Sequence, residues 1–298
     1  MKIIVTGSLG HIGKPLTEEL VQKGHDVTVI SSIADRRQEI ENIGANPAIG
    51  SLEDVAFLTG VFKGADAVYA MVPPNNYFDH DLDLLAYYIR LGKNYLQAIE
   101  ASGVKRVVNL SSIGAHLEKG SGILSGAHNV ERTLNALPKD VNLTHIRPTS
   151  FYYNLYGYAE SIKRNGVITA NYGTENFVPW VSPIDIAEAV AQELTTPFEG
   201  RNVRYVCSEE LTGNQVAGIL GEAIGIPKLR WVLTSDEDIL NELVTIGMNP
   251  RISAGLVEMY SALQSGLLSE DYIRNRPVLG RIKMTDFAKE FAVAFKQI

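Results

Sequence analysis

The segment Lys2-Ile3-Ile4-Val5-Thr6-Gly7-Ser8-Leu9-Gly10-His11-Ile12-Gly13 decides how this chain folds. An apolar, β-branched run leads into three glycines spaced three apart, and Leu16, Leu20 and Val21 then recur at helical spacing. The segment therefore reads as strand, turn and helix. Gly7 can turn the chain where a side chain would clash, Gly10 lets backbone approach a diphosphate, and Gly13 lets the new helix pack closely. Ser8, Leu9, His11 and Ile12 complete the cradle, and the helix N-terminus adds free N–H groups and a partial positive charge. The spacing alone is weak evidence in a chain with 26 glycines; its position between a strand and a helix makes it informative.

Outward from this turn, short apolar runs alternate with helical patterns to about residue 150. That is the pattern of an α/β protein with a doubly wound parallel sheet of the Rossmann type. Strands are expected at 2–6, 26–30, 46–49, 67–71, 106–110 and 143–146, with a long helix from about Asp79 to Ser102 stopped by Gly103. Residues 1–150 read as a dinucleotide-binding domain. Residues 151–298 read as a mixed region that completes the sheet and forms a smaller, mainly helical C-terminal cap over the crevice. In it, 203–207 reads as a strand, Thr212 as the cap of a helix reaching Ile224, and 235–269 as mostly helical.

Composition limits the function. At 298 residues and 45% hydrophobic content, the chain has ample material for a buried core. A formal net charge of −7 without a basic tract argues against a nucleic-acid partner. The single cysteine, Cys207, forms no intramolecular disulfide and reads as a buried strand residue. Only three apolar residues separate Lys2 from the glycine turn, too few for a secretory signal, and no apolar run is long enough to span a bilayer. A cytoplasmic protein with no membrane partner is expected. The six histidines are scattered without HxxxH or HExxH, and no G-x-S-x-G occurs. Neither a metal site nor a serine-nucleophile elbow is expected.

Several segments, in this order, resemble the NmrA-like, atypical branch of the short-chain dehydrogenase/reductase superfamily. They are Val5–Gly13, Ala70-Met71-Val72-Pro73-Pro74, Asn109-Leu110-Ser111-Ser112, the helix carrying His128 and Glu131, Thr144–Asn154 and Val181–Ala187. The resemblance spans about residues 1 to 230. It implies a dinucleotide at the glycine turn, Met71, Val72 and Pro73 along it, and Ser111 near the nicotinamide ribose. It also implies that the backbone after Arg147, with Pro148 and Phe151, faces the nicotinamide. From the residues alone, Pro73 and Pro74 could equally end a strand, and Ser111 and Ser112 could equally satisfy a turn.

Cofactor choice is expected just past the second strand, which ends Val29-Ile30-Ser31-Ser32 without an acid. Hydroxyls of Ser31 and Ser32 with the guanidinium groups of Arg36 and Arg37 favour a 2′-phosphate, hence NADP(H), with NAD as the alternative. The opposing reading makes the two arginines solvated helix residues paired with Asp35.

Reductases of the wider superfamily place a Tyr and a Lys four residues apart on the helix after the fifth strand. Registered on Glu131, those positions fall on Ile123 and Ala127. His128 and Tyr152 are the substitute proton-donor candidates, against the simpler readings of a structural histidine and a packing tyrosine. Asn75, Tyr77, Tyr153 and Trp180 are expected to wall a small-molecule pocket. Two functions follow from one cofactor site: an NADPH-dependent oxidoreductase acting on an electrophilic acceptor such as a quinone, or a non-catalytic NADP(H) sensor that binds a protein partner.

Overall fold

A seven-stranded parallel sheet lies at the centre of the structure, a computed structural model that describes residues 1–297. Its first six strands are β1 (Lys2–Val5), β2 (Asp26–Ser31), β3 (Asn46–Ile49), β4 (Ala67–Ala70), β5 (Arg106–Leu110) and β6 (Asn142–Pro148). The short strands β7 (Ser150–Phe151), β8 (Val167–Ala170) and β9 (Val178–Val181) precede β10 (Arg201–Val206), the seventh strand of the sheet. Two more, β11 (Glu209–Leu211) and β12 (Arg230–Leu233), pair with β9 and β8 in two small sheets outside it.

The spatial order is β3-β2-β1-β4-β5-β6-β10, so the direction of winding reverses between β1 and β4. A crevice for a ligand opens at the carboxyl ends of the strands at that point. Helices α1 (Gly13–Gln22), α2 (Arg37–Ile43), α3 (Val55–Phe62), α4 (Leu84–Ser102) and α5 (Ser125–Leu134) connect the first six strands. Beyond them come α6 (Ala159–Asn165), α7 (Pro183–Thr195), α8 (Gly213–Ile224), α9 (Asp236–Thr245), α10 (Pro250–Gln264), α11 (Glu270–Arg274) and α12 (Met284–Phe295).

Burial on both faces explains why the strands read as unbroken apolar runs. On one face Ile3, Val5 and Val29 pack with Leu16 and Leu20 of α1 and with Ile186, Val190 and Leu194 of α7. On the other, Ile4, Ile30 and Val68 pack with Leu58, Tyr95, Ile99 and Val130 of α3, α4 and α5. A third core, built almost wholly after residue 150, gathers Trp180, Leu220, Trp231, Phe287 and Phe291. Trp180, expected to wall a pocket, belongs to this core: it is fully buried, with its indole N–H donating to the Leu211 carbonyl, and it walls no pocket.

The long helix expected from Asp79 begins instead at Leu84. Asp83 accepts the Ala86 N–H at 2.9 Å as its N-cap, while Asn76 and Asp79 accept the N–H groups of Phe78 and Asp81. Short acidic and amide side chains there compete with the helix for backbone donors. Its C-terminus lies at Gly103 with φ 76°, as the glycine predicts. Within 235–269, Gly247 at φ 90° separates α9 from α10. Thr212 caps α8 in a reciprocal box with Gln215. Cys207 is buried one residue past β10, and burial pushes its thiol up to about 11.

Asp185 fastens the C-terminal segment to the sheet. Ser182 caps α7, which frees the buried Asp185 carboxylate to accept from Ser208 Oγ at 2.5 Å and from the backbone N–H groups of Arg281 and Ile282 at 3.4 and 3.2 Å. Asp185→Ala leaves these donors without their acceptor, and hydrogen bonds to a charged group contribute about 1.5–3 kcal/mol each. The substitution should lower unfolding stability by about 2–4 kcal/mol in urea and speed proteolysis within 275–283. Wild-type stability and an unchanged cleavage pattern would refute the clasp.

Candidate functional site

The glycine turn is built by backbone conflicts that only glycine avoids. Gly7 has φ 88°, and a Cβ there would overlap the Met71 thioether; a Cβ on Gly13 would overlap the Ser8 carbonyl. The start of α1 therefore rests on the turn itself. Gly10 differs: a Cβ would meet nothing closer than 3.8 Å, so its missing side chain leaves space beside the backbone. Ser8 adopts φ 60°, a left-handed conformation that costs a non-glycine residue on the order of 1 kcal/mol. Its N–H donates to the Ile30 carbonyl at 2.9 Å and its hydroxyl to Ser31 Oγ at 3.0 Å.

No side chain caps α1, and its first turn holds no acid. Its leading N–H groups thus keep the polarity that a diphosphate needs. Near the carboxyl end of β4 the buried Tyr69 hydroxyl has no protein partner. An open cradle, an uncapped helix and this hydroxyl fit a dinucleotide laid across the strand ends.

Beyond β2 the sequence expectation divides. Ser31 is buried and its hydroxyl is fully engaged: it accepts from Ser8 and the Ile33 N–H and lies 3.3 Å from the Ile33 carbonyl. It is a brace between the two loops, not a phosphate ligand. Ser32 is exposed. Arg36 pairs with Glu39, and Arg37 lies 3.9 Å from Glu41, so their partners are the glutamates one turn on and not Asp35. Lys14, which sequence reasoning passed over, lies 3.8 Å from the same Glu39. Exposed pairs of this kind are worth about 0–1 kcal/mol, little enough for a phosphate to displace.

At the next strand ends, the Met71 N–H donates to Thr6 Oγ1 at 3.0 Å and its carbonyl accepts from Tyr95 at 2.6 Å, which fixes Met71 over Gly7. Val72 and Pro73 follow, half-buried. Ser111, at the end of β5, donates to Glu131 Oε1 at 2.5 Å. The Pro148 carbonyl accepts the Ile113 N–H at 2.9 Å, so it is spent on the β5 loop.

Tyr152 and Tyr153 part company in the 3-10 turn that follows β7, where successive side chains point about 120° apart. Tyr152 is buried in the C-terminal core against Phe287, with its hydroxyl 3.2 Å from Glu209 and from the Ile282 carbonyl. It packs, and donates no proton to a crevice ligand. Tyr153 stacks on His11 of the glycine turn at 4.5 Å and lies 5.1 Å from Phe151. Burial and nearby Tyr77 push its phenol up to about 12, so it stays neutral.

His128 has a partner that sequence reading did not supply: its Nδ1 lies 2.9 Å from the Ala115 carbonyl. A carbonyl only accepts, so Nδ1 carries a proton and is spent on the Ala115 carbonyl, which leaves Nε2 as the ring nitrogen for any other contact. Ile123 is covered by α10. A Cβ on Gly255 of α10 would come within 2.9 Å of Ile123 Cγ2, and one on Gly122 would overlap the Gly255 carbonyl. Ala127 is buried.

Asn249 ties the loop carrying Asn75 and Tyr77 to the C-terminal helices, a link with no sequence signal. It caps α10, its N–H donates to the Tyr77 carbonyl at 2.9 Å, and its Nδ2 donates to the Asp79 and Leu82 carbonyls at 2.9 and 3.3 Å. A cavity of about 370 Å³ bordered by Leu82, Leu85, Ile123, Arg251 and Glu258 lies beside this junction. One of about 710 Å³ lies elsewhere, between α7, β10 and residues 275–281, and contains none of the predicted site residues. Among the described residues no cluster of three or more His, Cys, Asp or Glu could hold a metal, and no helix is long and apolar enough to cross a membrane.

Comparison with known proteins agrees with this architecture. The NmrA-like family matches residues 1–267. An NAD(P)H azoreductase of Xenophilus azovorans is 26% identical over 98% of this chain and 99% of its own. The structure of Citrobacter sp. triphenylmethane reductase complexed with NADP(H) aligns with a TM-score of 0.78 at 19% identity, covering 97% of this chain and 99% of that one. An NADPH-dependent quinone oxidoreductase from Escherichia coli, complexed with NADPH, aligns with a TM-score of 0.74 at 17% identity and the same coverage.

Behind the site, His145 on β6 is buried between Asn109 (3.1 Å to Nδ1) and Asn135 (3.2 Å to Nε2), and burial lowers it to about 4. An unfolded histidine titrates near 6.5, so between these values the unfolded chain binds the extra proton. Stability should fall as pH drops from 6.5 towards 4, by on the order of 3 kcal/mol from this group. His145→Gln should flatten that part of a denaturation-versus-pH curve; an unchanged slope would exclude His145 as its source.

Proposed function

Because the chain belongs to the NmrA-like family, we propose that it is an NADPH-dependent reductase acting on a small, strongly electrophilic acceptor such as a quinone or an azo compound. The observation that carries the choice of acceptor is Ile123, packed against Gly255; we read it as standing where the wider superfamily keeps its acid. General acid catalysis is worth about 10² to 10⁴ in rate, so aldehydes and ketones are poor acceptors at such a site. A quinone needs no acid from the protein, because its reduced oxygen takes a proton from water.

NADPH, when bound, supplies the hydride. In this reading the backbone of Gly7, Ser8, Leu9, Gly10, His11, Ile12 and Gly13 holds the diphosphate, and Ser32, Arg36 and Arg37 hold the 2′-phosphate, with Lys14 beside them. Met71, Val72 and Pro73 line one side, and Ser111 and the Pro148–Phe151 segment hold the nicotinamide end. Tyr153, Tyr77 and Asn75 form the acceptor wall, where flat aromatic surface suits a planar ring. The relatives named for azo-dye, quinone and triphenylmethane reduction support this class of acceptor.

Steady-state assays following NADPH absorbance should give turnover with quinones or azo compounds at least about 100-fold above that with aldehydes. A protein that binds NADPH tightly yet oxidises it with none of these acceptors would end the reductase reading. Replacing Arg36 and Arg37 together with Ala should weaken NADPH binding about tenfold and leave NADH binding unchanged. Equal NADPH affinity in that variant would assign the phosphate to other groups.

A further inference from the structure

The crevice wall at Ser111 has a fixed hydrogen-bond polarity. A serine hydroxyl carries one proton and two acceptor sites. Here the proton is spent on Glu131 Oε1 at 2.5 Å, which leaves only acceptor sites for any other partner. Glu131 receives two more charge-assisted bonds from Arg147, Nε to Oε1 at 2.9 Å and Nη2 to Oε2 at 2.6 Å. Arg147 is held in turn by Asp271 of α11 at 3.0 Å and by the Tyr205 hydroxyl at 3.2 Å, and Tyr205 donates to the same Asp271 oxygen at 2.7 Å. Ser111, Glu131 and Arg147 are all buried.

Burial alone would raise the Glu131 carboxyl, but the Arg147 guanidinium and the Ser111 bond outweigh it and hold it below the usual carboxylate range. An ionised carboxylate has no proton to give back. We propose that Glu131 is a positioning residue that makes the Ser111 hydroxyl an obligate acceptor toward the crevice, so that this wall binds a donor group, the nicotinamide ribose hydroxyl, and cannot polarise a carbonyl acceptor. The proposal rests on the reductase reading and deepens it. Besides the covered Ile123 position, a second potential acid of the strand ends is withdrawn by its own hydrogen bond.

The test compares Ser111→Ala, Glu131→Gln and the double variant by NADPH fluorescence titration, steady-state kinetics with a quinone, and thermal unfolding. Ser111→Ala leaves the Glu131–Arg147 pair intact, so it stays informative if Glu131→Gln unfolds. It should weaken NADPH binding about three- to tenfold, raising KM for NADPH more than it lowers kcat. Glu131→Gln supplies an amide donor in place of a pure acceptor, so the Ser111 hydroxyl is no longer held in one orientation, and NADPH should bind more weakly by up to the same factor. The double variant should bind no worse than the weaker single one, because both remove the same contact.

Unchanged NADPH affinity in Ser111→Ala overturns the proposal. So does a kcat loss of 100-fold at unchanged affinity, which would make Ser111 a donor to the acceptor. A Glu131→Gln effect confined to melting temperature reduces Glu131 to a structural pin and overturns it too. Failure of the unaltered protein to bind NADPH removes the cofactor reading itself, and is distinguished by measuring that protein first.

Discussion

The buried pair of Glu131 and Arg147 joins five elements of the fold. It links α5 to β6, holds Ser111 at the end of β5 and, through Tyr205 and Asp271, reaches β10 and α11. Two charges out of water are costly to bury, and only good geometry with the remaining donors satisfied offsets that cost. Arg147 meets the condition with Nε, Nη1 and Nη2 all engaged. Removing Arg147 leaves the buried Glu131 carboxylate without its cation, at about 3–5 kcal/mol, whereas without Glu131 the guanidinium keeps Asp271. The pair thereby ties the strand ends to the C-terminal helices that cover them.

Two shorter connections hold the same halves together by a similar logic. Asp185 and Asn249 are both buried near helix N-termini, and each spends its side chain on backbone groups of a distant segment. Asp185 secures the chain around Ile282 to α7, and Asn249 secures the loop at 77–82 to α10. A loop carries backbone donors and acceptors that no ladder satisfies, so a single well-placed amide or carboxylate can fix its position. The loop carrying Asn75 and Tyr77 is therefore held by the C-terminal region and not by the sheet alone.

Much of the fold was legible because its signals are local. The β-branched run before Gly7, the alternation of apolar strands and amphipathic helices, and Gly103 as a helix stop each depend on residues within a few positions. The start of α4 was misread because Asp79 and Asp83 are both competent N-caps, and only the surrounding turn decides between them. At the first turn, the backbone demands on Gly7 and Gly13 were legible and the contacts of their neighbours less so. Ser31 stands at the expected strand end, yet its hydroxyl turns inward to Ser8.

The sequence by itself determined the parallel sheet and the glycine-built turn that leads from β1 into α1. Tertiary structure decided which side chains face the crevice. Tyr152 and Tyr153 are adjacent in sequence, but one fills the C-terminal core and the other stacks on His11, since a 3-10 turn sends neighbours in different directions and packing chooses between them. Trp180 went to the core for the same reason. Glu131, Arg147 and Asp271 lie far apart along the chain, and hydrogen bonds between such residues leave no periodic trace for a sequence to display.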